Sequence, residues 1–157
     1  MSAHEAPRSP GVAGWAAAVV AAWLMVAGCG GPGVPPPIVL DTPCATCGMG
    51  VQDLRFACQR RVDRGWRVYD AIECLLRDAA GSPGSSGTVG AWLADYDRQT
   101  LHAADSMWVV RGEFASPMGG GMAAFHERAA ADSIAAATGG QVDRLAAFVR
   151  APARAAP

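Results

Sequence analysis

The sequence predicts an α+β fold of two similar small halves, and three observations carry that expectation. Each half holds extended segments bounded by turn residues, followed by a run with helical apolar spacing. A stretch of Gly, Ser and Pro, Gly81 to Gly87, separates the two halves. The third observation is an apolar fraction of 51% in 157 residues, enough for a packed core and too high for a chain disordered throughout.

In the first half, Phe56, Cys58 and Val62 fall on one side of an extended segment that is interrupted at Arg60. Asp63-Arg64-Gly65 supplies a hairpin turn, and Trp66 and Val68 continue as a second strand. Asp70 with Glu73 three residues later has the form of a capping box at a helix start. Ile72, Leu75, Leu76 and Ala79 then make one apolar stripe, which Gly81 stops. At about 100° per residue Cys74 falls opposite that stripe, beside Asp70 and Arg77, and so outside the main core contact of the helix.

The second half repeats the theme. Ala91 to Tyr96 is predicted as a strand and Met107 to Val110 as another. A helix is predicted from about Met122 to Thr138, burying Phe125, Ala129 and Ile134 and ending at Gly139-Gly140. The halves divide at about 41–87 and 88–150. Their similar length and order suggest an internal structural duplication, although few residues coincide.

The segments outside this domain are legible too. After Arg8, the stretch from Gly11 to Gly28 is apolar and closes on Val26-Ala27-Gly28-Cys29, small residues before a cysteine in the lipobox pattern. It is shorter than the roughly 20 residues a spanning helix needs. Residues 1–28 are therefore expected to be a lipoprotein signal peptide, with Cys29 as the lipid-bearing first residue of the mature chain. Membrane attachment through that lipid implies a periplasmic or cell-surface location. Gly30 is not the Asp that retains some lipoproteins at an inner membrane, which favours the outer membrane of a Gram-negative cell. Residues 29–40, rich in Gly and Pro, are expected to form a flexible tether, and residues 151–157 a frayed tail.

Charge narrows the partners. The net charge is −1 at pH 7, so no basic field exists to hold nucleic acid. No serine-nucleophile motif appears, and no enzyme activity is expected.

With Cys29 assigned to lipid, four cysteines remain: Cys44, Cys47, Cys58 and Cys74. Cys44 and Cys47 form one short pair, whereas Cys58 and Cys74 lie singly in regular elements. A structural zinc site wants a second close pair or a paired histidine, which disfavours zinc. Cys47-Gly48-Met49 sets a thiol and a thioether two residues apart, on one side of an extended backbone. Soft sulfur donors of this kind select Cu(I). Met118, in Ser116-Pro117-Met118-Gly119-Gly120-Gly121, sits in a loop that Pro and Gly keep from being helix or central strand. It is the third candidate ligand. Cys47 and Met49 already supply what Cu(I) needs, so Cys44 is not expected to be essential. Cys58 reads as a buried inert thiol and His102 and His126 as solvated, with His126, one turn into the predicted helix after the Met118 loop, the least favoured candidate ligand. The other chemistry open to Cys44 and Cys47 is thiol–disulfide exchange, though Gly48-Met49-Gly50-Val51 is a poor start for the helix such a motif usually opens.

Taken in order, Cys44-Ala45-Thr46-Cys47-Gly48-Met49, Tyr69-Asp70-Ala71-Ile72-Glu73-Cys74, Ser116-Pro117-Met118-Gly119 and Gly139-Gly140 resemble the NosL family of nitrous oxide reductase accessory lipoproteins. The resemblance spans about Asp41 to Val149. It implies two ββαβ-type halves, similar to part of organomercurial lyase, in a metal-binding domain over 41–150. It also implies a copper chaperone that binds one Cu(I) and supports assembly of the copper-sulfide centre of nitrous oxide reductase. The ligands so implied are Cys47 and Met49, with Met118 a weaker one. Tyr69 and Ala71 stand where the family pattern tends to show Phe and Asp, and Cys58 is extra. Those departures leave the metal motif intact and leave another cuproenzyme open as the copper acceptor.

Overall fold

A computed structural model describes residues 33–63, 65–81 and 89–150. The expected signal peptide, the first tether residues 29–32 including Cys29, Arg64, most of the Gly81–Gly87 loop and the 151–157 tail lie outside the described residues.

Strands β1 (Cys58–Val62) and β2 (Gly65–Tyr69) form the expected hairpin, and helix α1 (Ile72–Ala80) follows. Strand β3 (Ala91–Ala94) then pairs with the other edge of β1, and β4 (Leu101–Ala103) pairs with β3. The antiparallel sheet has the order β2-β1-β3-β4. The second sheet holds β5 (Trp108–Arg111), β6 (Met122–Phe125) and, after helix α2 (Arg128–Thr138), β7 (Gln141–Asp143), in the order β6-β5-β7. A short helix α3 (Leu145–Arg150) ends the described chain. In each half the first strand is central, with the second strand on one side and the strand after the helix on the other. The duplication is thus visible as two ββαβ units in an α+β fold.

Several elements differ from the sequence expectation. Ala91–Ala94, read as the opening of the second half, completes the first sheet instead. Met122–Phe125 is a strand, not the first turn of a long helix, and α2 starts only at Arg128. The cause is burial on both faces: Met122 and Ala124 pack into one core cluster with Leu75 and Val109, while Ala123 and Phe125 pack into another with Val110 and Ala131. A strand buried on both sides loses the alternation that identifies it. Ala129 is consequently exposed rather than buried, and Ile134 is half-buried.

Ends and joints follow local chemistry. Gly139 caps α2 in the left-handed conformation at φ 60°, where its lack of Cβ removes the penalty. Arg60, which broke the apolar pattern, is buried because it pairs with Asp78 of α1; Asp78 also takes Arg67 at 2.9 Å and the Tyr69 hydroxyl at 2.7 Å. Asp95 joins the sheets, accepting the backbone N–H of Asp97 at 2.8 Å and that of His126 at 3.1 Å. Packing also starts earlier than the tether was expected to end. Pro35 is buried, and the Gln59 side-chain amide donates to the Pro36 carbonyl at 2.7 Å.

Candidate metal centre

The loop that carries the CxxC motif is closed by its own backbone. Cys44 N–H donates to the Met49 carbonyl at 2.8 Å, Gly48 N–H to the Cys44 carbonyl at 3.0 Å, and Pro43 bridges Gly50. This tight turn needs Gly48 at φ +78°, so Cys47 and Met49 are not on one extended side as the i, i+2 spacing had implied. Two bonds seat the loop on the first half: Ala45 N–H to the Val68 carbonyl of β2 at 2.8 Å, and Thr46 Oγ1 to the Cys74 carbonyl of α1 at 2.9 Å. Because the loop covers α1, that helix is buried on a second face opposite its apolar stripe.

That second face carries the site. Sγ of Cys44, Cys47 and Cys74 and a carboxylate oxygen of Asp70 all lie within 4.8 Å of one another. Among the described residues this is the one group of three or more Cys, His, Asp or Glu donors at metal-ligand spacing. Cys74 is fully buried, correcting its expected place outside the core. Asp70 does not cap α1 either: the N-cap is Ala71 and no side chain caps the helix. Asp70 instead accepts the Cys47 thiol at 3.7 Å through Oδ2, while its Oδ1 is buried without a partner.

Burial favours the protonated thiol at two of these cysteines, Cys47 and Cys74. Burial pushes the Cys74 thiol far above its ordinary 9.0, with the neighbouring Asp70 adding to the rise. Burial also raises Cys47, and the Met49 backbone N–H offsets part of that. An incoming cation therefore displaces protons as it binds. The orphaned Asp70 oxygen is a polar atom that a cation would satisfy.

Cys47 is the way in. It is only partly buried, and Met49 beside it is 49% exposed. Met118 is half-buried and packs against the core cluster that contains Cys44 and Cys74. Its loop needs glycine, with Gly119 at φ +69° and Gly121 at φ +60°. Cys58 is buried and donates to the Ala71 carbonyl at 3.5 Å, and burial holds its thiol well above 9.0. His102 and His126 stack on each other with centroids 4.4 Å apart and take no part in the thiol cluster. Sequence reasoning missed Asp70 and Cys74 as neighbours of Cys47. The available signal was the polar side of α1, where Cys74 lies and which Asp70 precedes by two residues; it was read as a surface.

These features define a two-sheet α+β protein with a partly open thiol and carboxylate site fit for a soft cation. Its fold is similar to the crystal structure of the copper chaperone NosL from Shewanella denitrificans, with a TM-score of 0.61 at 15% identity over 72% of this chain and 93% of that one. That similar protein is a chaperone for copper. No protein-family model and no curated protein matches the chain.

Proposed function

We propose that this protein is a copper chaperone: an exported, lipid-anchored carrier that binds one Cu(I) and passes it to a cuproenzyme. The single observation that carries the proposal is the cluster of Cys44, Cys47, Cys74 and Asp70 within 4.8 Å, open to solvent at Cys47. Thiols suit Cu(I), which accepts two or three soft ligands and leaves a direction free for a partner's donor. The similarity in fold to a copper chaperone supports the same cargo.

Cys47 is the anionic anchor and the residue from which copper leaves. Met49 and Met118 supply neutral thioethers, and Cys44 and Cys74 stand behind as the other reachable thiols. A monovalent ion cannot balance three thiolates and a carboxylate in a buried site, so Cu(I) ionises only part of the set. Transfer is ligand exchange: a donor on the acceptor protein joins the ion before Cys47 releases it. The resemblance of the sequence motifs points to nitrous oxide reductase as the acceptor.

Thiol–disulfide exchange is the weaker use of the same residues. An attacking thiol works best with its pKa near ambient pH, and Cys47 is shifted the other way.

The testing experiment loads the reduced full-length chain with Cu(I) and mixes it with copper-free nitrous oxide reductase. One Cu(I) per chain and movement of that Cu(I) to the reductase support the proposal. Binding without transfer removes the assigned acceptor, and no binding removes the carrier.

A further inference from the structure

The loop that carries Met118 is fastened to the metal helix by one side chain. Glu73, the neighbour of Cys74 in the first turn of α1, accepts the Ser116 hydroxyl through Oε1 at 3.2 Å. Ser116 Oγ in turn accepts the backbone N–H of Gly121 at 3.0 Å. Ser116 therefore does two things at once: it closes the turn from 116 to 121 on itself, and it ties that turn to α1 two residues before Met118.

The fit around this tie is close. A Cβ added at Gly120 would overlap the Glu73 carboxylate, so the loop lies directly against that side chain. Glu73 Oε2 is buried without a partner. A carboxylate is not held in such a place by its own solvation, and the seated loop is what surrounds it. A loop with three consecutive glycines has little stiffness of its own and opens easily when its fastening is removed.

We propose that Glu73 and Ser116 form a latch that seats the Met118 loop against the core cluster that contains Cys44 and Cys74 and so sets how long bound Cu(I) is retained. Both are positioning residues that act through the Met118 thioether. The latch rests on the copper-carrier function proposed above. It also joins the two halves of the fold, since Glu73 belongs to the first and Ser116 to the second.

The test follows Cu(I) release from the loaded full-length chain to an excess of a Cu(I) chelator by stopped flow. Ser116→Ala is expected to speed release about fivefold, the scale of one lost ordinary hydrogen bond, and Ser116→Thr to restore most of the slow rate. Glu73→Ala is expected to match Ser116→Ala, and the double variant to add nothing further. In a Met118→Leu background, Ser116→Ala is expected to leave the rate unchanged. Release from Ser116→Ala at the wild-type rate would overturn the latch, as would equal acceleration with and without Met118. Those results would leave Cu(I) carriage standing, whereas a wild-type chain that takes up no Cu(I) would remove both.

Discussion

Cys47 donates its thiol to Asp70 Oδ2 across 3.7 Å, while the other Asp70 oxygen is buried with nothing to accept. A carboxylate 2% exposed with an orphaned oxygen costs the fold about 1–3 kcal/mol. It becomes favourable once a cation sits among the thiols.

Asp70→Asn is therefore expected to separate stability from binding. The amide removes the buried charge, so the metal-free chain should melt no lower than wild type, and higher if the charge is the main burden. Cu(I) affinity should fall by about tenfold, equivalent to 1.4 kcal/mol. Thermal melting with and without Cu(I) reads both effects, and a variant that melts lower while binding normally would contradict the role given to Asp70.

Copper affinity should rise with pH. Burial raises the thiols of Cys47 and Cys74, so both are protonated near neutrality and each one that ligates must first lose its proton. Below those raised values the apparent affinity is expected to increase about tenfold per pH unit for each proton released. Chelator competition at three pH values from 6 to 8, using a chelator whose own protonation is known, gives the slope. A flat profile would mean that no thiol ionises on binding.

Asp78 supplies a stability term of opposite pH behaviour to a raised thiol. Burial alone would lift its carboxyl, but the Tyr69 hydroxyl and the Arg60 and Arg67 guanidiniums outweigh this and hold it below 3.8. A depressed folded pKa means the contribution is complete above the unfolded value and disappears as pH falls through the folded one. Acid unfolding should therefore begin below about pH 4 from this group. Asp78→Ala, which strands the buried Arg60, is expected to destabilise the fold by about 3 kcal/mol in urea unfolding at pH 7.

Cys29 is the proposed site of anchoring. The lipobox ending in Val26-Ala27-Gly28-Cys29 leads to the expectation that the wild-type chain fractionates with membranes and carries acyl mass. Cys29→Ser should lose both. A Cys29→Ser chain that stays in the membrane fraction would show that attachment comes from elsewhere.

Much of the architecture was legible because its signals are local. The β1–β2 hairpin, the apolar stripe of Ile72, Leu75 and Ala79, and the glycine end of α2 each depend on a few adjacent residues. What escaped was set by distant contacts. Met122–Phe125 became a strand because β5 pairs with it and both its faces are covered. Cys74 sits on a helix face that reads as solvent-facing until the loop from Cys44 to Met49 folds over it, through Thr46 and Ala45, and Asp70, two residues before the helix, reads as its cap. The thiol cluster joins residues 30 positions apart in the chain, Cys44 and Cys74, and no spacing rule connects them. Cys47 was legible from its motif, and it is the residue at which the motif and the cluster meet.

The most direct measurement is competition for Cu(I) between the reduced full-length chain and a chelator of known affinity, comparing wild type with Cys47→Ser, Met49→Leu and Met118→Leu. Wild type is expected to bind one Cu(I). Cys47→Ser removes the accessible thiolate and should weaken binding by at least about a hundredfold, near 3 kcal/mol, whereas Met49→Leu and Met118→Leu each remove a neutral donor and should weaken it by about tenfold or less. Wild-type Cu(I) affinity in Cys47→Ser would contradict the assignment of Cys47 as the anchor and, with it, the proposed carrier site.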